Sequence, residues 1–95
     1  MDEEIFRIPC GAETISAVLF VPEMLSPAPK PCLVICHGAF EYKENFFDLA
    51  RFLAEGDIAS LTLDMPGHGE STGKRHHIDI DLWVRAIRCG IDRLE

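Results

Sequence analysis

Two short runs of apolar and β-branched residues, separated by a polar turn, occupy the first fifth of the chain. Residues 5–8 form the first run, and residues 14–21 (TISAVLFV) form the second. Residues 9–13 between them have the composition of a turn, so the pattern predicts a β-hairpin. Residues 22–31 contain four prolines, which cannot donate to a sheet ladder, and this segment is predicted to be a loop.

The middle of the chain predicts a strand, a helix and a second strand, in that order. Residues 32–36 (CLVIC) are apolar at every position, which is typical of a central parallel strand buried on both faces. Residues 45–55 predict a helix with Asn45 as N-cap and Gly56 as the stop signal, and residues 58–63 predict the next strand. The predicted core face of this helix consists of Phe46, Leu49, Ala50 and Leu53.

The last element is a predicted helix at residues 79–94, which follows a polar, glycine-rich loop at residues 65–77. Asp79 or Asp81 is suited to cap it. Its predicted core face consists of Ile80, Val84, Ile87 and Ile91. A hairpin followed by strand, helix, strand and helix predicts one α/β domain over residues 1–95, in which an antiparallel hairpin leads into a parallel sheet flanked by helices.

Composition narrows the function classes. The 95 residues are 47% hydrophobic and carry a net charge of −7, so neither nucleic acid nor an anionic membrane is an expected partner. The chain begins MDEE, unlike a signal peptide, and contains no apolar run of about 18 residues, so a cytoplasmic location is predicted. We expect Cys10, Cys32, Cys36 and Cys89 to be reduced, buried thiols, and a disulfide framework is the less favoured alternative.

Two loops follow the predicted parallel strands, at the sheet edge where open α/β sheets bind ligands. Gly38, directly after His37, allows a sharp turn that leaves the backbone N–H of Ala39 available. Such an N–H can stabilise the oxyanion of acyl transfer. The second loop, residues 64–73, begins with Asp64 and contains three glycines. Either loop alone also fits an ordinary strand-to-helix turn.

Residues 37–72 (HGAFEYKENFFDLARFLAEGDIASLTLDMPGHGEST) combine both loops, and the chain from about residue 14 to 94 resembles the N-terminal portion of the α/β-hydrolase superfamily, especially its serine esterases and serine aminopeptidase-like members. The resemblance implies that Ala39 donates its N–H to an oxyanion hole, supported by His37 and Gly38. It implies a pocket-shaping loop that includes Asp64, Gly67, His68, Gly69 and Ser71. It also implies a substrate entrance bordered by Phe40, Glu41, Tyr42 and Lys43.

The same resemblance limits what this chain does by itself. In the superfamily the catalytic serine, acid and histidine follow one another in that order. All three are expected beyond Glu95, so no residue here is assigned as catalytic. The implied activity is serine hydrolysis of a small-molecule or peptide ester or amide, without a cofactor, and the chain alone is expected to be inactive. Esterase, peptidase, thioesterase, lipase and dehalogenase activities all remain open for the complete protein.

Three local motifs are weaker. The segment GESTG matches the nucleophile-elbow pattern, but Ser71 lies well beyond the strand end and no apolar-periodic helix follows, so we do not expect it to be a nucleophile. Gly73 and Lys74 resemble part of a phosphate loop but lack its first glycine and its Ser/Thr. His76 and His77 are adjacent and point in different directions, so no metal site is predicted.

An alternative function follows from the strand at residues 32–36. In the superfamily this strand has a second neighbour, which is expected beyond Glu95. Without that neighbour it would be a bare edge, and helix faces would be left uncovered. The isolated chain is therefore expected to be marginally stable or to self-associate. The alternative is a short non-catalytic α/β module that pairs with itself or with a partner through this edge.

Overall fold

Four strands and two helices make up the computed structural model, which describes residues 1–23 and 31–95. The strands are β1 (Asp2–Cys10), β2 (Glu13–Val21), β3 (Cys32–Cys36) and β4 (Ala59–Leu63), and the helices are α1 (Phe47–Glu55) and α2 (Ile80–Leu94). The strand order in the sheet is β1-β2-β4-β3. Strands β1, β2 and β4 pair antiparallel and β3 pairs parallel with β4, which confirms the predicted α/β class.

The hairpin is longer and tighter than predicted. The pairing of β1 with β2 continues to Cys10 opposite Glu13, so only Gly11 and Ala12 remain in the turn. Gly11 has φ +60°, a conformation that glycine adopts without steric cost. The predicted turn at residues 9–13 was therefore too wide. Most of the loop predicted at residues 22–31 lies outside the described residues.

Strand β3 is an edge strand. It pairs with β4 from Cys32 opposite Ala59 to Cys36 opposite Leu63, and the described part of the sheet has no strand on its other side. Leu33 is consequently 48% exposed. The expectation that this strand is buried on both faces was wrong for this structure, because burial of an apolar strand requires neighbours on both sides as well as covering helices.

Helix α1 begins two residues later than predicted. Residues Lys43–Phe46 form a 3₁₀ turn, and the N-cap position of α1 is Phe46, so Asn45 is not the cap. Gly56 ends the helix as predicted. The buried side consists of Ala50 and Ala54, whereas Leu49, which was assigned to the core face, is exposed.

Helix α2 begins as predicted, because the Asp79 carboxylate accepts hydrogen bonds from the backbone N–H groups at 81 and 82, at 3.0 and 3.3 Å. Its buried face differs from the prediction and centres on Ala86 and Gly90. A Cβ on Gly90 would stand 3.2–3.3 Å from the side chains of Leu61 and Leu63, so glycine permits close contact with β4. Of the four residues predicted for this face, Ile87 is partly buried. The other three are exposed: Ile80, Val84 and Ile91.

A disulfide between Cys10 and Cys89 joins the end of β1 to α2. Its two Cα atoms are 6.0 Å apart, although the residues are separated by 79 positions in sequence. The prediction of reduced thiols was therefore wrong for this pair, while Cys32 and Cys36 are free. Cys32 is exposed and not buried as expected, and Cys36 is half-buried; desolvation by neighbouring atoms raises the pKa of both thiols. Within residues 1–23 and 31–95, no helix is both long enough and apolar enough to cross a membrane.

Candidate functional site

A tight turn follows β3 at the carboxyl edge of the sheet. The Glu41 N–H donates to the Gly38 carbonyl at 3.2 Å, which places Ala39 and Phe40 at the centre of the turn. Phe40 has φ +65°, which is uncommon for a residue with a side chain. Ala39 is exposed, and its N–H has no acceptor among the described residues. The Ala39 N–H is therefore among the backbone donors of this loop that remain unused within the described part of the chain.

The side chain of Glu41 braces this turn from within. Its Oε1 accepts a hydrogen bond from the Gly38 N–H at 2.7 Å. A Cβ on Gly38 would lie 2.7 Å from the same oxygen, so a larger residue there would displace the Glu41 carboxylate. Glu41 therefore stabilises the turn through a hydrogen bond and does not only border the expected substrate entrance. Phe40 and Tyr42, two of the other residues expected at a substrate entrance, are exposed.

His37 connects this turn to the loop after β4. The ring is buried, and its Nε2 accepts a hydrogen bond from the Met65 N–H at 2.9 Å. The proton therefore resides on Nδ1, which lies 2.7 Å from the Gly38 carbonyl and donates to it. Because both nitrogens have partners, His37 holds the two loops together and is not placed to accept a proton from a nucleophile.

The Asp64 carboxylate is the anchor of the second loop. It is fully buried and accepts three hydrogen bonds: from the backbone N–H of Lys43 at 2.8 Å, from the Lys43 Nζ at 2.8 Å and from the backbone N–H of Glu70 at 2.9 Å. A Cβ on Gly69, which has φ +52°, would collide with this carboxylate. The loop therefore wraps closely around Asp64, and glycine is required for it to do so.

The position of Lys43 in the structure differs from the one expected from the sequence. It was expected at the substrate entrance, but it is only 2% exposed. Its Nζ contacts the carboxylates of Asp64, Glu70 and Glu44 at 2.8, 2.9 and 3.0 Å. Burial opposes the charge, but the three hydrogen bonds outweigh it and raise the pKa of Lys43 above its ordinary value. No sequence signal identifies this role, since it depends on residues up to 27 positions away.

The same three carboxylates are the group of possible metal ligands that the described residues bring together. One oxygen from each of Glu44, Asp64 and Glu70 lies within 4.8 Å of the others. The Lys43 ammonium contacts all three and already supplies the compensating positive charge. Its hydrogen bond also lowers the pKa of Glu70. The cluster is best understood as an internal ion-pair network that connects the two loops.

Ser71 lies inside the loop, with its hydroxyl fully engaged. Its Oγ accepts from the Ser16 N–H at 2.9 Å and donates to the Asp64 carbonyl at 2.6 Å. Both bonds are buried, and they attach the loop to β2. Gly67, with φ +76°, approaches the Lys74 carbonyl so closely that a Cβ would collide with it. These contacts describe a structural serine in a tight turn.

A cluster of aromatic rings lies beneath the two loops. The fully buried His68 ring packs edge-on against Trp83 of α2, with centroids 5.3 Å apart, and it lies 5.2 Å from the His37 ring. His68 Nδ1 lies 3.0 Å from the Pro66 carbonyl. Its Nε2 and the Trp83 Nε1 are buried and find no hydrogen-bond partner within the described part of the chain.

Arg75, which follows the loop, forms hydrogen bonds to the loop backbone. The Arg75 guanidinium donates to the carbonyls of Gly67 and Gly69 at 3.1 Å. These bonds satisfy carbonyl oxygens in the glycine-rich turn. They leave less of the guanidinium for an anion, which argues against a phosphate loop at Gly73 and Lys74.

Comparison with known proteins relates this chain to a known family. Residues 27–94 match the model of the family described as serine aminopeptidase, S33. Human monoglyceride lipase is 32% identical over 68 residues, which cover 70% of this chain and 22% of the lipase. The chain therefore spans about a fifth of the length of this curated relative.

Solved structures agree with this relationship. The ferulic acid complex of Est1E from Butyrivibrio proteoclasticus aligns with a TM-score of 0.80 at 26% identity, over 94% of this chain and 36% of that one. The α/β-hydrolase GrgF from Penicillium sp. sh18 aligns with a TM-score of 0.86 at 21% identity, over 99% of this chain and 32% of that one, and supports the fold. The chain therefore belongs to the serine aminopeptidase S33 family of α/β-hydrolases.

Proposed function

We propose that this chain is the N-terminal part of a serine hydrolase and supplies half of its oxyanion hole through the backbone N–H of Ala39. The observation that carries the proposal is the N–H of the exposed residue Ala39, which has no acceptor among the described residues and lies just beyond the carboxyl end of β3. The turn that presents it is fixed by Glu41 on one side and by His37 on the other. Donors fixed before the reaction stabilise developing charge without reorganisation, which is the requirement for an oxyanion hole.

The remaining steps of acyl transfer require groups that this chain does not carry. A serine attacks the carbonyl carbon, the carbonyl oxygen becomes an oxyanion, and Ala39 donates to it together with a second N–H. The second donor and the triad belong to the larger part of the relatives that this chain does not span. We therefore expect the 95-residue chain to be inactive alone, and no cofactor enters the scheme. We also retain the prediction of a cytoplasmic location.

An ester is the favoured substrate class. One relative is named a monoglyceride lipase, and the Est1E structure contains ferulic acid, a carboxylic acid. A monoglyceride is a carboxylic ester and a carboxylic acid is a product of ester hydrolysis, whereas the family description refers to an aminopeptidase. We therefore propose an ester in the first place and a peptide amide in the second.

The test is a chimera in which this chain replaces the matching segment of human monoglyceride lipase. Ala39→Pro removes the proposed donor and keeps the turn, since proline is favoured at the first central position of a β-turn. Loss of one oxyanion donor is expected to lower kcat for a p-nitrophenyl ester by roughly 10²–10³-fold, with little change in KM. Ala39→Ser, which keeps the N–H, serves as the matched control and should retain activity.

The assignment of Ala39 is wrong if the Ala39→Pro chimera hydrolyses the ester as fast as the Ala39→Ser chimera. The isolated chain provides a second check. It should neither release p-nitrophenol in a burst nor react covalently with a fluorophosphonate. A burst that disappears on Ser71→Ala would instead identify Ser71 as a nucleophile.

A second candidate function, edge-to-edge pairing, is favoured by the exposure of β3. Leu33 is exposed on a strand that has a single neighbour among the described strands. Exposed apolar edges promote pairing, and a lysine on such a strand suppresses it. Sedimentation equilibrium should detect a dimer or larger species that Leu33→Lys converts to monomer. A chain that is monomeric at all concentrations would remove this candidate.

A further inference from the structure

The Cys10–Cys89 disulfide closes the chain around both site loops. Cys10 ends β1 and Cys89 lies in α2, so the bond fixes the helix to the hairpin. The same helix carries Trp83, whose ring contacts His37 at a centroid distance of 5.8 Å. Any change in how α2 is held against the sheet is therefore transmitted to the aromatic cluster beneath the loop of Ala39.

The two cysteines differ in exposure. Cys10 is 6% exposed, whereas Cys89 is partly exposed and lines a groove of about 330 Å³. The groove is bordered by Ile8, Pro9, Asp92 and Arg93 in addition to Cys89. An attacking thiol reaches the sulfur that is accessible, so the geometry makes Cys89 the point of entry.

The surroundings of Cys10 suit a reduced thiol. The Cys10 Sγ lies 3.5 Å from the Arg85 carbonyl. Once reduced and protonated, the thiol can donate its S–H to that oxygen, so the reduced form has a partner already in place.

We propose that Cys10–Cys89 is a thiol-modification site: a redox-labile clasp opened by low-molecular-weight thiols that attack Cys89. A thiolate RS⁻ bonds to the Cys89 Sγ, the S–S bond breaks, and its electron pair leaves on the Cys10 Sγ, which takes up a proton. A second RS⁻ attacks the R sulfur of the mixed disulfide, which releases Cys89 as a thiolate and forms RSSR. The protein gains two electrons, and two RSH molecules are oxidised.

In the cytoplasm such a disulfide responds to the concentration of free thiols, because thiol pools there keep ordinary disulfides reduced. The disulfides that do form there tend to be transient or redox-sensing. The inference does not depend on the oxyanion assignment. It concerns the attachment of α2, and it holds whether or not Ala39 is a donor.

The first measurement counts thiols in the purified, air-oxidised chain. Alkylation in denaturant should modify two cysteines without reductant and four after reduction. Thermal unfolding followed by the fluorescence of Trp83, the single tryptophan, should then show a midpoint at least ~10 °C lower after reduction, because the bond closes a loop of roughly 80 residues.

Variants locate the effect and the point of entry. The double variant Cys10→Ser/Cys89→Ser should unfold at the reduced midpoint and ignore added thiol, whereas Cys32→Ser/Cys36→Ser should respond like the parent. With oxidised glutathione, Cys10→Ser should form an adduct at Cys89 several-fold faster than Cys89→Ser forms one at Cys10. Four free thiols before reduction, an unchanged midpoint after it, or faster reaction at Cys10 would each overturn the proposal.

Discussion

The buried contact between Lys43 and Asp64 allows a quantitative test of how the two loops are held. Lys43→Met keeps the length of the side chain and its apolar stem but removes the ammonium group. The change leaves the fully buried Asp64 carboxylate without its charged partner. Removing one member of a buried ion pair destabilises proteins by about 3–5 kcal/mol.

The surroundings of Asp64 predict a loss of unfolding free energy at the lower end of that range. Asp64 retains two backbone N–H donors in the variant, from position 43 and from Glu70. The other two carboxylates, Glu44 and Glu70, have side chains that are 42% and 61% exposed, so water can replace the lost ammonium there. We therefore expect a loss of about 3 kcal/mol in the free energy of unfolding. For a domain of this size, that loss corresponds to a drop of roughly 12–24 °C in Tm.

Urea unfolding at pH 7, followed by circular dichroism on the oxidised chain, measures the loss. Glu3→Gln is the matched control, because it breaks an ion pair with Arg51 whose side chains are 37% and 42% exposed. Exposed pairs contribute less than about 1 kcal/mol. Adding Asp64→Asn to Lys43→Met should cost much less than the sum of the two single changes. If Lys43→Met costs no more than Glu3→Gln, or if the two changes are additive, the anchoring role of Lys43 is refuted.

Three further predictions use the same unfolding assay on the second loop. Gly69→Ala places a Cβ against the Asp64 carboxylate in a left-handed conformation, so we expect a loss of at least about 2 kcal/mol; a smaller loss would mean that the loop can shift. Ser71→Ala leaves the buried Ser16 N–H without its acceptor and should cost about 1–3 kcal/mol; a neutral result would contradict the bridging role. Because the pKa of Glu70 is lowered from 4.5 by its ammonium partner, its contribution is present above that value and is lost as the pH falls through the folded-state pKa. The gap between Glu70→Gln and the parent should therefore close on acidification, and a gap that stays constant with pH would exclude this linkage.

The order of elements could be predicted from the sequence because it depends on local signals. Asp79 caps α2 through its own carboxylate, and α1 ends at Gly56, where the following residue, Asp57, adopts the left-handed conformation with φ +68°. Parallel pairing of β3 with β4 follows from the helix that connects them. These features need no knowledge of which side chains meet later in folding.

The buried helix faces were predicted only in part: Ala50 belongs to the predicted face of α1 and is buried, whereas the other buried helix residues were not predicted. Hydrophobic periodicity gives weight to large side chains, yet both helices place small residues against the sheet: Ala50 and Ala54 in α1, and Ala86 and Gly90 in α2. Small residues bring a helix axis closer to the strands, as the contact between Gly90 and Leu63 illustrates. The larger residues, which hydrophobic periodicity assigned to the core, then lie at the margins of the contact between helix and sheet.

Contacts between distant positions were equally inaccessible. Lys43 lies 21 positions from Asp64, and Cys10 lies 79 positions from Cys89. A lysine among glutamates resembles an ordinary solvated segment, and two isolated cysteines resemble two buried thiols. Only the closure of the sheet and the docking of α2 bring each pair together, so the ion-pair network and the disulfide both emerge at the tertiary level.

These long-range contacts determine how Ala39 is held. His37 on one side of Ala39 bonds to Met65, and Lys43 on the other side bonds to Asp64, so both ends of the first loop are attached to the second. Met65 and Asp64 in turn follow β4, whose parallel pairing with β3 sets the separation of the two loops. The direction of the Ala39 N–H is therefore a property of two adjacent strand ends and not of the His-Gly dipeptide. Changes at Lys43 or Asp64 should consequently lower kcat in the lipase chimera without touching the donor, in proportion to how far they release the second loop.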